Sequence, residues 1–535
     1  MPASFHSFYL SDGMRPNAFL PRGFGDAGDR QAATHAAARR RVEPSLLAEL
    51  RAQNEAFAES PARRANLAAL AQPGAAVVVT GQQVGLFLGP LYTLYKAASA
   101  IAIARSLGAE TGVPCVPLFW LQTEDHDFAE IARCAVPRDG SPPLELELPP
   151  APGEARVSIA DRHLPADIRA LLDALEDCLA RLPYGAEVLS LLGEHYRPGV
   201  PPGRAFAFVL AALFADDGLV LYDPRQKAAA RLLAPMMRKA LVEAAPLEAL
   251  LAERVRALRQ VGLKEQVTLR QGAALCFVHD GGPRGPRHRP VRSGERFHLP
   301  GGASFTEPEL LDLLEREPLR FSTSALLRPI AQDLLFPTAV VVGGPAEVDY
   351  FAQLAPLYPA FGLEPPLVAH RARFRLIPAR TQALLQKLNL AAADLDRPRD
   401  ELLRAVLACG PEVAGPLAGP DATWGQELEA RLDEFGARAA AVDPSLARGA
   451  ARFRALMRRS LERLARRHER LTLAREGVTA ERLARAEAWL KPGGSPQERV
   501  FSFPAFAARW GPAALVRAIG EAVDPFDPTL REIVR

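Results

Sequence analysis

Three polar segments of the sequence carry residue types that could do chemistry. The first is a glycine-studded loop at 81–89, with Lys96 about one and a half turns into the helix predicted after it. Glycines let backbone amides approach an anion, and the start of a helix adds positive potential. The spacing matches neither the dinucleotide-binding nor the P-loop motif. The loop could therefore hold an anion, or could be only a tight turn between a strand and a helix.

The second segment is the acidic run Glu124, Asp125, His126 and Asp127. Three carboxylates and an imidazole could orient an amine, bind Mg²⁺ or Zn²⁺, or supply a general base. Successive side chains at the end of a strand point in different directions, so all four cannot face one ligand. The alternative is a helix N-cap in which Thr123 or Asp125 is the capping residue.

The third segment is a second glycine turn, at 343–345, with Glu347 in the helix predicted to follow. A polar stretch around Arg328 precedes it, and a guanidinium can hold a carboxylate or phosphate through two parallel hydrogen bonds. An ion pair between Arg328 and Asp333 explains the same arginine equally well as a structural residue.

These polar segments follow short apolar runs that predict buried parallel strands. The runs lie at 75–80, 116–121, 218–222 and 339–342, the last of which we expect to end the series. A helix predicted at 91–107 joins the first two runs into a βαβ unit, the opening of a doubly wound sheet. Ligands bind at the carboxyl ends of such strands, which is where the polar segments lie.

Changes in composition divide the chain into an α/β core, insertions and a helical region. The predicted segments are the N-terminal arm with the first half of the core (1–136), a first inserted connecting segment (137–204), the core continued (205–264), a second, β-rich insertion (265–305), the second half of the core (306–377), a helical coiled-coil domain (378–492) and a C-terminal segment that returns to the core (493–535). Residues 1–30 are predicted to form an irregular arm on the core.

Two stretches outside the core have a distinctive pattern. A turn of the second insertion is crowded with basic residues, and we expect it to be solvated, with phosphate binding as the alternative: Arg284, Arg287, His288, Arg289 and Arg292. The helical region has two apolar faces: Trp424, Leu428, Leu432 and Phe435 on one, and Phe453, Met457, Leu464, Leu471 and Val478 on the other. They predict an antiparallel hairpin that pairs with another subunit, unless the long charged helix is simply solvated.

The composition is that of a folded protein. The chain has 535 residues and a formal net charge of +3, so its charge makes no case for nucleic acid or an acidic membrane as a partner. Five cysteines lack CxxC spacing, so we expect no disulfide framework and no stable metal site. No export signal is seen, and the longest apolar run, near 206–214, is too short to span a bilayer. We therefore expect a cytoplasmic location.

Taken together, the motifs resemble those of the bacillithiol-biosynthesis cysteine-adding family, BshC. The similarity is carried in order by TGQQVGLFLGPLYTLYK (80–96), FWLQTEDHDF (119–128), LRPIAQD (327–333), GGPAEVDY (343–350) and PQER (496–499). The resemblance implies a Rossmann-like, nucleotidylyltransferase-like core with inserted segments, and a C-terminal coiled coil that supports a homodimer. It also implies the addition of L-cysteine to glucosaminyl-malate as an amide, which yields bacillithiol.

Amide formation from a carboxylate needs activation, most simply as an acyl-adenylate or acyl-phosphate. We therefore expect ATP or another nucleotide to take part. On this hypothesis Asp125 and His126, flanked by Glu124 and Asp127, orient or deprotonate the amine, while Arg328 binds carboxylate or phosphate. The expected substrate-binding residues are Gly81, Gln82, Gln83, Gly85, Gly89, Tyr92, Lys96, Trp120, Arg328, Gln332, Gly343, Gly344 and Glu347.

Two other functions fit the same pattern. A nucleotidylyltransferase acting on another small substrate would share the sheet and the anion-binding loops. A non-catalytic dimeric scaffold would depend on the helical hairpin and would tolerate changes at Asp125 and His126.

Overall fold

The computed structural model describes residues 4–139, 141–408, 423–475 and 477–535. The chain forms two compact units. The larger comprises Met1–Arg138, Pro143–Arg375 and Glu498–Ile533, and the smaller comprises Asp139–Pro142, Leu376–Gln497 and Val534–Arg535. Among the helices of the described residues, none combines the length and the apolar content that crossing a bilayer requires.

The α-helices, in chain order, are α1 (Phe5–Ser11), α2 (Ala27–Ala38), α3 (Pro44–Glu55), α4 (Pro61–Leu70), α5 (Tyr92–Thr111), α6 (Phe128–Ile131), α7 (Ile168–Leu179), α8 (Gly185–His195), α9 (Pro202–Leu213), α10 (Lys227–Val242), α11 (Ala244–Gln260), α12 (Glu307–Arg316), α13 (Arg328–Leu335), α14 (Pro345–Leu354), α15 (Leu357–Ala360), α16 (Ala379–Lys387), α17 (Arg399–Ala408), α18 (Thr423–Val442), α19 (Leu446–Arg475), α20 (Gly477–Leu490), α21 (Gln497–Val500), α22 (Pro504–Trp510) and α23 (Pro512–Ala522).

The strands are β1 (Ala76–Gln82), β2 (Cys115–Leu121), β3 (Arg133–Arg138), β4 (Ser141–Glu147), β5 (Val220–Tyr222), β6 (Cys276–His279), β7 (Arg287–His288), β8 (Val291–Ser293), β9 (Arg296–His298), β10 (Ser304–Thr306), β11 (Phe321–Thr323), β12 (Thr338–Gly343), β13 (Leu367–His370), β14 (Arg373–Ile377) and β15 (Leu530–Val534).

A five-stranded parallel sheet forms the centre of the larger unit, in the order β13-β12-β1-β2-β5. Val79 on the central strand lies opposite Val341 on one side and Leu118 on the other. The strands are continuous apolar runs because both faces of the sheet are buried. The chain moves from β1 to β2 on one side and later to β12 on the other. The strand order therefore reverses between β1 and β12, as in a Rossmann-like sheet.

The predicted α/β fold is confirmed, but three local predictions are wrong. The run at 339–342 is not the last parallel strand, because β13 follows it; the three apolar residues of β13 come directly after two prolines and give a weak signal. The N-terminal arm contains α1, whose Tyr9 hydroxyl donates to the Val368 carbonyl at 2.9 Å. The stretch after Pro224 also predicts one long helix to about 251, but the structure has two helices, α10 and α11, which meet at Glu243, whose backbone is not helical.

The second insertion is built from two small antiparallel sheets. One has the order β10-β9-β8, and the other has the order β11-β6-β7. The second sheet extends past the stretch predicted to be β-rich, because β11 lies beyond residue 305. Strand β11 therefore carries Thr323 from the core sequence into the sheet of the insertion.

In the smaller unit, α18 and α19 form a helical hairpin. An ion pair between Asp433 and Arg454 links the two helices, and the rings of Phe435 and Phe453 lie 6.2 Å apart. The side chains of three residues from the predicted apolar faces lie outside the described part of the structure: Trp424, Leu471 and Val478.

A buried ion pair holds the C-terminal stretch of the larger unit. The guanidinium of Arg371, just after β13, donates to both carboxylate oxygens of Glu498 at 2.9 and 2.7 Å. Both side chains are almost fully buried. Such a pair is costly to break because the remaining partner becomes an uncompensated buried charge.

We expect Arg371→Met to lower the free energy of unfolding by about 3–5 kcal/mol, because it removes both hydrogen bonds from the buried Glu498 and leaves only the more distant Arg373 guanidinium, at 3.8 Å. Urea unfolding followed by tryptophan fluorescence measures this. The control is Arg133→Met, which breaks the exposed Arg133–Glu147 pair and should cost no more than about 1 kcal/mol. Equal losses in the two variants would contradict a stabilising role for the buried pair.

Candidate active site

The carboxyl ends of β1 and β2 bring the glycine loop and the acidic run together. The Gln83 side-chain amide donates to Asp125 Oδ2 at 3.0 Å. Parallel pairing dictates this meeting, since Gln82 lies opposite Leu121 and the two chains leave the sheet side by side. The predicted juxtaposition of the two segments is confirmed.

The glycine loop itself is a tight, internally bonded turn. Phe87, Leu88 and Gly89 have successive positive φ values of 48°, 69° and 62°. A Cβ on Gly85 would lie 2.8 Å from the Cα of Gly89. The amides of Gly85 and Gly89 donate within the loop at 3.0 and 2.9 Å, and the Leu88 amide donates to the Tyr196 hydroxyl at 3.2 Å. These amides are occupied, so the turn alternative describes residues 85–89 better than an anion cradle.

Two residues predicted to bind substrate instead maintain the sheet. A Cβ on Gly81 would lie 2.9 Å from the Trp120 carbonyl oxygen, so the close approach of the strands requires glycine. The Trp120 ring is buried in the core, with its centroid 5.6 Å from that of Tyr222 and 6.5 Å from that of Phe336. This placement does not support substrate binding by the Trp120 side chain.

Lys96 is a buried cross-link rather than an open cation. Its ammonium donates to the Gly81 carbonyl at 2.7 Å and to Gln82 Oε1 at 3.0 Å, and it pairs with Glu347. Burial lowers the pKa of Lys96, while the Glu347 carboxylate opposes that shift. The same carboxylate accepts from the Gly344 amide at 2.9 Å. The geometry therefore does not support anion binding by Lys96 or by this amide. It shows an ion pair that spans the reversal between β1 and β12.

Gly343 has a steric role beside this ion pair. A Cβ at that position would lie 2.8 Å from the Cβ of Glu347. The glycine therefore lets α14 begin directly against the end of β12.

Arg328 is the cation of this edge that has no acidic partner among the described residues. It donates to the Tyr350 hydroxyl at 2.6 Å. Asp333 instead accepts from the Tyr358 hydroxyl at 2.6 Å, so the alternative Arg328–Asp333 ion pair is wrong. Gln332 is buried and its side-chain amide donates to Asp333 at 3.4 Å, away from any open surface. Of these residues, Arg328 is the one able to bind a carboxylate or phosphate.

The four residues of the acidic run point in different directions, as expected. The Glu124 carboxylate accepts from the Thr323 amide at 3.1 Å and from its hydroxyl at 2.6 Å. Asp127 is the N-cap of α6, so the prediction that Thr123 or Asp125 caps a helix is wrong. The carboxylates of Glu124 and Asp127 thus hold structure, and Asp125 is the acid turned toward the glycine loop.

Asp125 is a charged carboxylate with an exposed part. Burial alone would raise the pKa of Asp125, but the Arg287 guanidinium at 3.6 Å, the His126 amide at 2.7 Å and the Gln83 amide hold it below its ordinary value. Its side chain is 37% exposed. A fixed, reachable negative charge of this kind suits an amine or ammonium ligand.

His126 is a neutral imidazole at physiological pH. Burial, together with Arg287 and Arg156, lowers the pKa of His126 to about 4, against the opposing effect of Asp125. Its Nδ1 is buried and has no hydrogen-bond partner among the described residues. A base with so low a pKa removes protons weakly. The geometry therefore supports orienting a substrate better than deprotonating it.

Tyr92 and Glu130 complete the polar surface around Gln83. The Tyr92 hydroxyl accepts from the Gln82 amide at 3.3 Å, and burial, with Glu130 nearby, raises the pKa of Tyr92 to about 12. Burial also raises the pKa of Glu130, although a hydrogen bond from Gln83 opposes the shift. Sequence reasoning missed Glu130, yet it lies three residues after the capping Asp127, a spacing typical of helix starts.

Arg287 is the other functional residue that sequence reasoning missed. The prediction of a solvated basic turn is wrong here, because Arg287 is only 3% exposed. Its guanidinium lies 4.0 Å from the centroid of the Phe277 ring. Phe277, ten residues earlier on the partner strand, is the signal that could have indicated burial of this arginine. In the described residues, no three histidine, cysteine or acidic side chains are grouped as metal ligands.

Two family models match successive parts of the chain. The model of the bacillithiol biosynthesis BshC N-terminal Rossmann-like domain matches residues 9–372, and that of the BshC C-terminal coiled-coil domain matches residues 374–531. Together they cover the sheet, the site and the helical hairpin.

Curated relatives are similar over most of their length. A protein of Solibacter usitatus is 35% identical over 474 residues, 87% of this chain and 85% of its own. One of Salinibacter ruber is 32% identical over 503 residues, 93% and 90% of the two chains. One of Koribacter versatilis is 34% identical over 462 residues, 86% and 84%. Each bears the name "Putative cysteine ligase BshC".

Acid should destabilise the larger unit through two histidines whose pKa values are lowered in the folded state. Burial, with Arg225 nearby, lowers the pKa of His279 to about 3, and His126 lies near 4, whereas an unfolded histidine has a pKa of about 6.5. Because the folded values are the lower ones, stability is complete above about pH 6.5 and is lost as the pH falls toward 3.

We expect His279→Gln to lose less of its urea midpoint between pH 7 and pH 4.5 than the unmodified protein, since one titrating group is gone. The exposed His298→Gln is the matched control and should follow the unmodified protein. A pH dependence shared by all three proteins would show that His279 does not carry the effect.

Proposed function

The chain belongs to the bacillithiol biosynthesis BshC family, and we propose that it is a cysteine ligase. The reaction joins the carboxyl group of L-cysteine to the amine of glucosaminyl-malate as an amide, the last step of bacillithiol synthesis. The family and the names of the relatives support this reaction. The structural observation that carries it is the Gln83–Asp125 contact, which places a charged carboxylate at the sheet edge where ligands bind.

Different residues of the site bind the reacting groups of the two substrates. Asp125 receives the amine, with the neutral His126 beside it, and holds it for attack on the activated acyl carbon. The attack forms the C–N bond, the activating phosphate group leaves with the electron pair of the broken acyl C–O bond, and the amine proton passes to solvent. Arg328, which has no acidic partner in the described chain, binds a carboxylate of the acceptor or the activated acyl group. Holding two reactants in line is worth several orders of magnitude in rate, so orientation by these residues is a sufficient contribution.

We also propose that a nucleotide, ATP first of all, activates the cysteine carboxyl, because a carboxylate does not expel hydroxide in water. The Rossmann-like sheet and the open Arg328 cation are consistent with a phosphate-bearing substrate. The amides of Gly85, Leu88, Gly89 and Gly344 are already bonded within the protein and do not fit a phosphate cradle. No phosphate contact is therefore assigned to them.

Purified protein supplied with ATP, L-cysteine and glucosaminyl-malate should form bacillithiol, detected by mass spectrometry. Asp125→Asn should lower kcat/KM by about 10²-fold or more, because it removes the charge that orients the amine. The matched control is Asp127→Asn, which also removes one carboxylate charge from the run but keeps a capping side chain at the start of α6, and it should lower kcat/KM less than about tenfold.

Two outcomes would contradict the ligase proposal. One is the absence of product although both substrates demonstrably bind. The other is release of pyrophosphate that does not depend on cysteine, which would indicate the nucleotidylyltransferase. Unchanged cellular bacillithiol with Asp125→Asn and His126→Ala would instead favour the scaffold.

We further propose that the protein works in the cytoplasm as a homodimer through the hairpin of α18 and α19. On α19 three large apolar side chains share one face and are exposed in the single chain: Phe453 (46%), Leu456 (61%) and Leu464 (54%). A second copy would cover this face in the manner of a coiled coil.

We expect the double variant Leu456→Glu/Leu464→Glu to be monomeric in size-exclusion chromatography with light scattering, because charge on this face opposes its burial. Arg458→Glu, on another face of the same helix, is the control and should remain dimeric. An unmodified protein that is monomeric at micromolar concentration would refute the dimer.

A further inference from the structure

We infer that Arg287, on the second insertion, is a positioning residue for the ligase reaction. It fixes the tip of β2, by which we mean residues 122–127 directly after the strand, so that Asp125 meets the amine. This inference rests on the proposed function of Asp125. The tip follows a core strand, whereas Arg287 is more than 160 residues further along the chain.

Arg287 bonds directly to the backbone of the tip and to that of the neighbouring strand β11. Its Nη1 donates to the Glu124 carbonyl at 2.5 Å, and its Nη2 donates to the Thr323 carbonyl at 2.6 Å. The carbonyl of Glu124 belongs to the residue immediately before Asp125. A fork between these two carbonyls therefore fixes where the Asp125 backbone begins.

The side chain of Glu124 closes the same clamp from the opposite direction. Its carboxylate accepts from the amide and the hydroxyl of Thr323 on β11. Strand β11 pairs with β6, which also pairs with β7, the strand that carries Arg287. The tip of the core strand is thus held by two residues of one small antiparallel sheet.

The backbone and the guanidinium plane of Arg287 are fixed as well. Its amide donates to the Arg156 carbonyl at 2.9 Å, and the Arg156 guanidinium donates back to the Arg287 carbonyl at 2.9 Å. Its guanidinium lies over the Phe277 ring, whose centroid is 6.0 Å from that of His126. A rigid guanidinium next to both polar residues of the tip can set their positions.

The bonding of Arg287 leaves Asp125 available to a ligand. The guanidinium lies 3.6 Å from Asp125 Oδ1 but donates its hydrogen bonds to backbone carbonyl groups. Asp125 is therefore held electrostatically without being closed into a two-bond ion pair. Had Arg287 formed such a pair, the carboxylate would have had less capacity for an amine.

Arg289 offers a matched comparison within the same turn. Its guanidinium lies 5.1 Å from the centroid of the same Phe277 ring, and its side chain is half-buried. No hydrogen bond joins Arg289 to residues 124–127 in the described structure. Removing Arg289 thus removes an equal charge and a similar packing contact without touching the tip.

The test compares Arg287→Met, Arg287→Lys and Arg289→Met in steady-state kinetics. For Arg287→Met we expect kcat to fall by about 10²-fold with a smaller change in KM, since a misplaced tip misaligns a bound amine. Arg287→Lys restores the charge and one donor, and should recover about tenfold of that loss. Arg289→Met should stay within about threefold of the unmodified protein.

A second readout separates positioning from a general loss of packing. The charged groups facing His126 are Arg287, Arg156, Asp125 and Asp127. Removing Arg287 takes away a repelling cation, so the His126 pKa, followed by its ring-proton NMR signal, should rise in Arg287→Met toward the ordinary 6.5. It should stay unchanged in Arg289→Met.

The outcomes decide between the claims. If Arg287→Met matches Arg289→Met in kcat and in the His126 titration, the positioning role is refuted. If Arg287→Met fails to fold, Arg287→Lys becomes the test. A kcat in Arg287→Lys equal to that of the unmodified protein would then refute the role. Activity retained by Asp125→Asn would refute the site itself. If Arg287→Met leaves kcat unchanged while Asp125→Asn is inactive, only this inference is refuted.

Discussion

Parallel pairing of β1 with β2 on one side and with β12 on the other is the constraint on which the rest of the structure depends. Parallel strands end at one edge, so every loop that leaves the sheet there must share the space. The strand order reverses between β1 and β12, the position where ligands bind in such sheets, and the Lys96–Glu347 ion pair spans that reversal. Without that pair, the ammonium would sit uncompensated among β-strand carbonyls, at a cost that few interiors tolerate.

The glycine loop and the lysine illustrate how polar residues at a sheet edge can satisfy one another. Glycines and a helical lysine are the features that an anion site would use, and the same features let a chain turn sharply and cancel its own charges. Here the second use prevails for residues 85–89, Lys96 and Gly344. The consequence for chemistry is that recognition passes to the side chains left over: Asp125, His126, Tyr92 and Arg328.

The sequence predicted the parallel core, four of its five strands and the meeting of two polar segments because apolar periodicity and strand ends are local signals. Three features were not predictable on that basis. The strand β13 was too short to stand out, Trp120 resembled a binding residue although its ring is core, and Arg287 depends on tertiary pairing of β6 with β7. Tertiary contacts also determine which acid of the run faces the loop. Glu124 accepts a hydrogen bond from Thr323 and Asp127 caps α6, so Asp125 is the acid that remains.

The insertions therefore belong to the site as much as the sheet does. The core supplies an edge with a loop and a charged tip, but neither is rigid by virtue of the sheet alone. Tyr196 from the first insertion braces the glycine loop, and Arg287 from the second braces the acidic tip. Each brace reaches a backbone group and not a substrate-facing side chain. A fold shared by many enzymes can acquire a specific reaction in this way, since the inserted segments fix the loops while the sheet stays unchanged.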